Sequence, residues 1–233
     1  MDEVIPIRIE GAAPGEPIEL SPQSTDEQDV IWESSAVFEA DESGIIDLAN
    51  AKPIRGTYEE AHPMGLFWSM TARSSTSSFS KGTVQSCLFT LCVSSQGTVI
   101  HRQQIERTLL SDGIGRIENE DEFIGTYFCP NGAWKVPAVL VLGGSDGSLD
   151  ESLACLLAHY GYAVLVVAFF RHKHLPDKLI NIPLEYFSHA LTWLKQQPNV
   201  HTEKIGVFGV PRVARWRSCL PLSFLTFILP SLM

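Results

Sequence analysis

Lys204-Ile205-Gly206-Val207-Phe208-Gly209-Val210-Pro211-Arg212-Val213 is the stretch on which the reading of this 233-residue chain turns. Its first half, Ile205 to Phe208, has the character of a short buried strand and ends on Gly209. A strand that ends on glycine and runs into x-S-x-G presents a nucleophilic serine on a sharp strand-to-helix turn. Small residues flank that serine because the backbone is strained and packed closely against the next helix. Here Gly209 takes the first place of the pattern and Val210 the second, Pro211 stands at the nucleophile position, and Val213 stands at the last glycine. Proline has neither hydroxyl nor thiol, so the chain leads up to a nucleophile and does not supply one. The missing proline N–H is tolerable in a first helical turn, so fold and chemistry need not fail together.

Working back from Gly209, the pattern is strand, helix, strand, helix, strand. Val136 to Leu142 is a nearly continuous β-branched and leucine run, as expected for a strand covered on both faces. Gly143-Gly144-Ser145-Asp146-Gly147 follows at once. Ser152 to Tyr160 reads as a helix with Leu153, Leu156 and Leu157 on one face, stopped by Gly161. Tyr162 to Phe170 is a second buried strand. Pro183 to Gln197 is a helix with Leu184, Phe187, Leu191 and Leu194 at helical spacing, ended by Pro198. This alternation predicts a parallel sheet with flanking helices over residues 123–210. Phe123 to Phe128 opens it as a strand, and Pro130-Asn131-Gly132 is a turn.

Residues 1–122 read as all-β. Ile5, Ile7 and Ile9 alternate with other residues, as do Trp32, Ser34, Ala36, Phe38 and Ala40, and later Cys87, Phe89, Leu91 and Val93. Asp41-Glu42-Ser43-Gly44 and Ser94-Ser95-Gln96-Gly97 close two of these runs. Period-2 strands with turn signals about every ten residues predict an immunoglobulin-like β-sandwich. Tyr58 to Met70 is dense in apolar residues, but Pro63 and Gly65 prevent a simple helix or strand assignment. Arg73 to Ser80 is Ser-rich and reads as a hairpin loop.

Composition bounds the possibilities. The apolar fraction is 45% and the charged fraction 19%, which calls for a buried core. A net charge of −10 argues against nucleic acid as a partner. Cys87, Cys92, Cys129, Cys155 and Cys219 are widely spaced and odd in number, which suits a reducing compartment. The acidic start has no basic segment before an apolar core, so no secretory signal is read and a cytoplasmic location is expected.

Other chemistry-bearing residues have plain structural readings. His172-Lys173-His174 has no further ligands nearby in sequence and reads as a solvated loop, so no metal site is expected. His159, His189 and His201 read as structural or surface residues. Asp146, Asp150 and Glu151 flank a helix N-terminus, where acids favour the dipole. Cys155 lies on a helix face expected to be buried and reads as packing. Gly143 to Gly147 lacks G-x-G-x-x-G spacing, so it is no dinucleotide fingerprint; on its own it reads equally as a Gly-rich strand-to-helix turn or as an oxyanion loop.

Four stretches together resemble the type I acyl-CoA thioesterases and bile acid-CoA:amino acid N-acyltransferases. They are His62-Pro63-Met64-Gly65-Leu66-Phe67-Trp68-Ser69-Met70, Val139-Leu140-Val141-Leu142-Gly143-Gly144-Ser145, Leu184-Glu185-Tyr186-Phe187, and Ile205-Gly206-Val207-Phe208-Gly209-Val210. The resemblance implies an N-terminal sandwich joined to an α/β-hydrolase domain. It implies acyl-CoA as substrate, attack by a serine or cysteine at the position of Pro211, and no cofactor. It makes Gly143, Gly144 and Ser145 the oxyanion-hole loop and Gly209 and Val210 the flank of the nucleophile turn. Hydrolysis of the thioester is the expected reaction; acyl transfer to an amino acid and non-catalytic acyl-CoA binding are the alternatives.

From Pro211 the sequence departs from this pattern. Residues 211–233 carry Arg212, Arg215 and Arg217, then an apolar run, and hold no acid. They read as an atypical, non-native tail that matches nothing in the family and leaves the sheet incomplete. The triad acid and histidine lie further on in the family and have no candidates here, so an inactive chain is expected. The apolar run is short for a membrane span, and at most a weak membrane contribution is expected of it.

Overall fold

The computed structural model describes residues 3–74, 78–132, 134–143, 147–178 and 180–209. The expectations placed on Gly144, Ser145, Asp146, Val210 and Pro211, and on the tail, lie outside the described residues. The chain divides into two compact units. One holds residues up to Lys81 together with Ser86–Thr108; the other holds Gly82–Gln85 and the chain from Leu109 on.

The first unit is built almost wholly of strands: β1 (Arg8–Ile9), β2 (Pro17–Thr25), β3 (Ile31–Glu33), β4 (Ala36–Glu39), β5 (Ile46–Asp47), β6 (Arg55–Gly56), β7 (Thr71–Ala72), β8 (Cys87–Ser95) and β9 (Thr98–Arg107). Strand β2 is the spine of its seven-stranded sheet. Strand β8 pairs along one side of it, and β4 and then β3 pair along the other. The run from Trp32 to Ala40 that reads as one strand is split into β3 and β4. Their registers against β2 are continuous, Leu20↔Ala36 and Gln23↔Glu33. The break falls opposite Pro22, which has no N–H to give to the ladder. Burial follows the period-2 pattern, with Trp32, Ser34, Ala36, Phe38 and Ala40 all inside. The β8–β9 hairpin turns at Gln96 and Gly97, both in the left-handed region as a two-residue hairpin demands. The inner face of this sheet (Ile18, Leu20, Phe38, Leu91, Val93) packs with Ile7, Ile46, Leu48, Tyr58 and Leu66. Leu66 belongs to a single helical turn, α1 (Gly65–Trp68), which the sequence assigned to neither state.

A buried carboxylate organises one end of this sheet. Asp26, 7% exposed, accepts the N–H groups of Gln28 (2.9 Å), Val30 (3.0 Å) and Ser80 (3.2 Å) and the indole N–H of Trp32 (3.1 Å). Trp32 in turn meets Phe79 edge-on at 5.5 Å.

The second unit is a five-stranded sheet with two helices: β10 (Ile114–Asn119), β11 (Ile124–Pro130), β12 (Val136–Leu142), α2 (Glu151–His159), β13 (Ala163–Ala168), α3 (Leu184–Gln196) and β14 (Val200–Gly209). The strand order is β10-β11-β13-β12-β14. Only β13, β12 and β14 run parallel; β10 and β11 join antiparallel, so the sheet is mixed rather than parallel throughout. The reason lies in connection length. Four residues link β10 to β11, which suffices for an antiparallel turn, whereas parallel pairing needs a crossover of the kind α2 and α3 provide. The β10–β11 turn covers residues 120–123, and the two compact units part in sequence at Thr108 and Leu109.

From β12 the chain crosses to β13 on one side, then back past β12 to β14 on the other. Right-handed crossovers in opposite directions put α2 and α3 on opposite faces. Every residue of β13 is accordingly buried. On the α3 face, Phe187, Ala190, Leu191 and Leu194 pack on Leu140, Leu142, Leu165 and Val167. Helix α2 buries Ala154, Cys155 and Ala158, while Leu153, Leu156 and Leu157 are only half-buried. The small residues, not the expected leucine face, therefore meet the sheet. Leu184 is likewise exposed at the start of α3.

Asp26 yields a pH prediction. Burial alone would raise its carboxyl, but the four donors outweigh burial and hold it below its ordinary value. A carboxylate depressed in the fold adds stability above its unfolded value of about 3.9, and that stability is lost as pH falls through the folded value. The urea midpoint of the natural chain should therefore fall more steeply than that of Asp26→Asn from about pH 5 to about pH 2. Equal slopes would remove Asp26 from the acid limb.

Candidate functional site

Strands β12 and β14 are parallel neighbours, with Leu142 the register partner of Gly209. The chain therefore leaves both strands side by side at the same edge of the sheet. The connection after β12 goes to one side, and the chain returns on the other side to form β14. Open α/β sheets bind ligands at such a switch point, outside the carboxyl ends of the strands. The structure thus brings together Gly143 and Gly209, two positions that the sequence singled out more than sixty residues apart.

The turn after β12 is crowded from both ends. The Gly143 N–H donates to Val167 O at 3.3 Å, and a Cβ on Gly143 would lie 2.5 Å from Ser148 O. Gly147 has φ +81°, and a Cβ there would lie 2.5 Å from Phe170 O and 2.7 Å from the Arg171 Cβ. Glycine is required at Gly147 twice over, by backbone conformation and by the close passage of the segment after β13.

The start of α2 is held by two acids that the sequence read as a pair of dipole-favouring residues. Asp150 caps the helix, its Oδ1 accepting the Leu153 N–H at 3.1 Å. Glu151 instead turns to the sheet. Its Oε1 accepts from Arg116 Nη2 at 2.7 Å and from the Thr126 hydroxyl at 2.7 Å. Burial pulls the Arg116 guanidinium down, but Glu151 and Glu118 more than offset it and hold the group above its ordinary value. Nothing local in the sequence signals this pair, because its members are 35 residues apart.

Tyr186, in the first turn of α3, fastens the same edge on its other side. Its hydroxyl accepts the Ile124 N–H at 2.9 Å and donates to Ala168 O at 2.6 Å. Ile124 and Ala168 are the last register pair of β11 and β13, so one phenol closes that ladder and anchors the helix. Burial raises the Tyr186 hydroxyl above its ordinary value.

The histidines take structural or surface positions. His159 bridges the Cys155 carbonyl (3.0 Å) and Ser111 (3.1 Å) at the end of α2. His172, Lys173 and His174 lie in the loop after β13, with Lys173 paired to Glu120. Cys155 is fully buried, donates to Leu109 O, and has its thiol pushed up by burial. Among the described residues no three of His, Cys, Asp and Glu are grouped to hold a metal ion. No helix among them is long and apolar enough to cross a membrane.

Comparison with known proteins adds the following. Residues 2–121 match the family profile described as the acyl-CoA thioester hydrolase/BAAT N-terminal region, and residues 182–221 the one described as BAAT/acyl-CoA thioester hydrolase C terminal. Acyl-coenzyme A amino acid N-acyltransferase 1 of Mus musculus is 31% identical over 225 residues, 92% of this chain and 54% of that protein. Acyl-coenzyme A thioesterase 6 of Mus musculus is 33% identical over 223 residues, 91% of this chain and 52% of that protein. The chain thus spans about half the length of the curated relatives it matches. The solved structure of esterase Est22 overlays 42% of this chain and 35% of that chain at a TM-score of 0.36 and 19% identity, too slight a likeness to argue from. The second profile runs to residue 221, past Pro211, which corrects the expectation that everything from 211 on is foreign to the family.

The crowding at Gly147 is directly testable. Gly147→Ala should destabilise the chain by about 1–3 kcal/mol, since the new methyl meets both a left-handed backbone and the carbonyl of Phe170. Gly161→Ala, also at positive φ but with open space around it, should cost less. Urea unfolding of both variants checks the order.

Proposed function

The chain belongs to the acyl-CoA thioester hydrolase/BAAT family, and from that premise we propose that it binds acyl-CoA at the edge where β12 and β14 end. In this reading the first unit is the immunoglobulin-like sandwich and the second is the opening part of an α/β-hydrolase domain. Gly143, Gly144 and Ser145 form the oxyanion loop; the Gly143 N–H stays on Val167 O, and the N–H groups near Gly144 and Ser145 serve the oxyanion of a thioester tetrahedral intermediate. Gly209 and Val210 lead into the nucleophile turn. The single observation that carries the reading is the Leu142↔Gly209 register, because an oxyanion loop and a nucleophile turn have to emerge together to act on one carbonyl.

The chemistry at position 211 is the departure. A serine or cysteine there would attack the thioester carbon and expel CoA thiolate, and proline has no atom that can do so. The reading is therefore of a chain that holds acyl-CoA and turns it over poorly. Acyl transfer is the second reading, favoured by the nearly equal identity to an N-acyltransferase (31%) and to a thioesterase (33%). Both share the same first step, attack on the thioester, and differ only in whether water or an amine accepts the acyl group. Unpaired Cys87, Cys92, Cys129 and Cys155 support a cytoplasmic, reducing setting.

Release of CoA thiol from a long-chain acyl-CoA, with and without an amino acid acceptor, tests this. We expect no release near the usual enzyme range of about 1–10³ s⁻¹. Positioning and oxyanion contacts alone leave about 10³–10⁴-fold over water in hydrolases stripped of their triad. Enzyme-like turnover in the natural chain would place the nucleophile somewhere other than residue 211. CoA thiol release that depends on the amino acceptor, with formation of the N-acyl amino acid, would select the transfer reading.

A further inference from the structure

We propose that the loop between β13 and α3 is an anion site that receives the phosphates of the coenzyme A portion of the substrate. The inference rests on the acyl-CoA reading and adds a location and a set of residues to it. In an acidic protein of net charge −10, residues 171–178 bring together Arg171, Lys173 and Lys178, with His172 and His174 between them and Asp177 as the one acid. The loop leaves β13 at its carboxyl end, on the same edge as Gly143 and Gly209. It also touches the turn after β12. Gly147 packs so tightly beneath Phe170 and Arg171 that no Cβ fits between them. A thioester carbonyl at the oxyanion loop would therefore have a cationic loop as its neighbour.

The loop is closed on itself by hydrogen bonds within it. The Arg171 N–H donates to Pro176 O at 2.8 Å, the Leu175 N–H to His172 O at 2.9 Å, and the Arg171 Nε–H to Asp177 O at 3.3 Å. Arg171 and Lys173 both hold left-handed φ angles, 49° and 48°, an uncommon conformation for long side chains and one that their surroundings must impose. Arg171, Lys173, His174 and Lys178 are exposed, and His172 is half-buried. The acid that faces them from another element is Glu120, which pairs with Lys173 and lies close to both histidines. An exposed pair of this kind is weak and readily exchanged for a phosphate, whose charge is greater and whose oxygens accept several donors at once.

The test is calorimetric titration of the full chain with coenzyme A, its 3′-dephospho form, pantetheine and inorganic phosphate. The natural chain should bind coenzyme A more tightly than pantetheine, and its affinity should fall with added salt. Arg171→Glu with Lys173→Glu should weaken coenzyme A by about tenfold or more and leave pantetheine unchanged. Lys135→Glu, on an exposed residue at the opposite edge just before β12, should leave coenzyme A binding unchanged. The neutral pair Arg171→Gln with Lys173→Gln gives the same comparison should the double reversal fail to fold. Coenzyme A binding that ignores these substitutions overturns the loop assignment while leaving the acyl-CoA reading standing. Inorganic phosphate that binds as tightly as coenzyme A also overturns it, since the loop would then be a general anion patch. Failure of the natural chain to bind either coenzyme A or pantetheine overturns the acyl-CoA reading, and the assignment falls with it.

Discussion

Strand β12 is hydrogen-bonded on both sides by parallel strands, and the rest of the second unit depends on that constraint. Parallel pairing on each side demands two crossovers, and their common hand sends one helix to each face. With both faces covered, β12 and β13 must be apolar on both sides, as Val139-Leu140-Val141-Leu142 and Ala163 to Ala168 are. The same pairing fixes where the chain leaves the sheet. Leu142 opposite Gly209 is a statement about hydrogen bonds, yet it also sets the position of the candidate site.

The helices are fastened at the ends nearest that site by polar groups rather than by more apolar burial. Glu151 at the start of α2 is held by Arg116 and Thr126, and Tyr186 at the start of α3 ties Ile124 to Ala168. Such bonds matter because Glu151, Thr126 and Ile124 are removed from water. Losing one member leaves a buried group unsatisfied, at a cost of about 1–3 kcal/mol and more for a charge. Apolar packing holds the helices on the sheet, and these directional contacts decide where along the strands each helix begins.

What was legible in the sequence follows from which signals are local. The Val136–Leu142 run maps onto β12 residue for residue, and Cys87, Phe89, Leu91 and Val93 are the buried positions of β8. Strand β14 was read only from Ile205 because its first part, His201-Thr202-Glu203-Lys204, is polar and exposed. The register explains this. Val136 pairs with Val200 and Ala138 with Ile205, so those four residues bulge out of the ladder and carry no burial pattern. Strand β9 escaped for a related reason, being an edge strand with almost every residue exposed. Strand β2 escaped because Pro22 and Ser24 stand at its inward positions, where apolar residues would have continued the alternation of Ile18 and Leu20. At the candidate site, Gly143 and Gly209 were singled out from local turn chemistry, and the register sets them side by side. The Arg116–Glu151 pair and the Gly147–Arg171 contact were not, because they exist only once distant segments meet.

The groups that build the candidate edge are separable from any group that reacts there. Among the described residues, Gly143, Gly147, Glu151, Tyr186 and the β12–β14 ladder make their contacts with one another and with neighbouring strands. A fold of this kind can therefore keep its geometry when the reacting residue changes, since the sheet positions backbone and leaves the chemistry to one side chain on a turn. Proteins named as thioesterases and proteins named as amino acid N-acyltransferases match this chain to nearly the same degree.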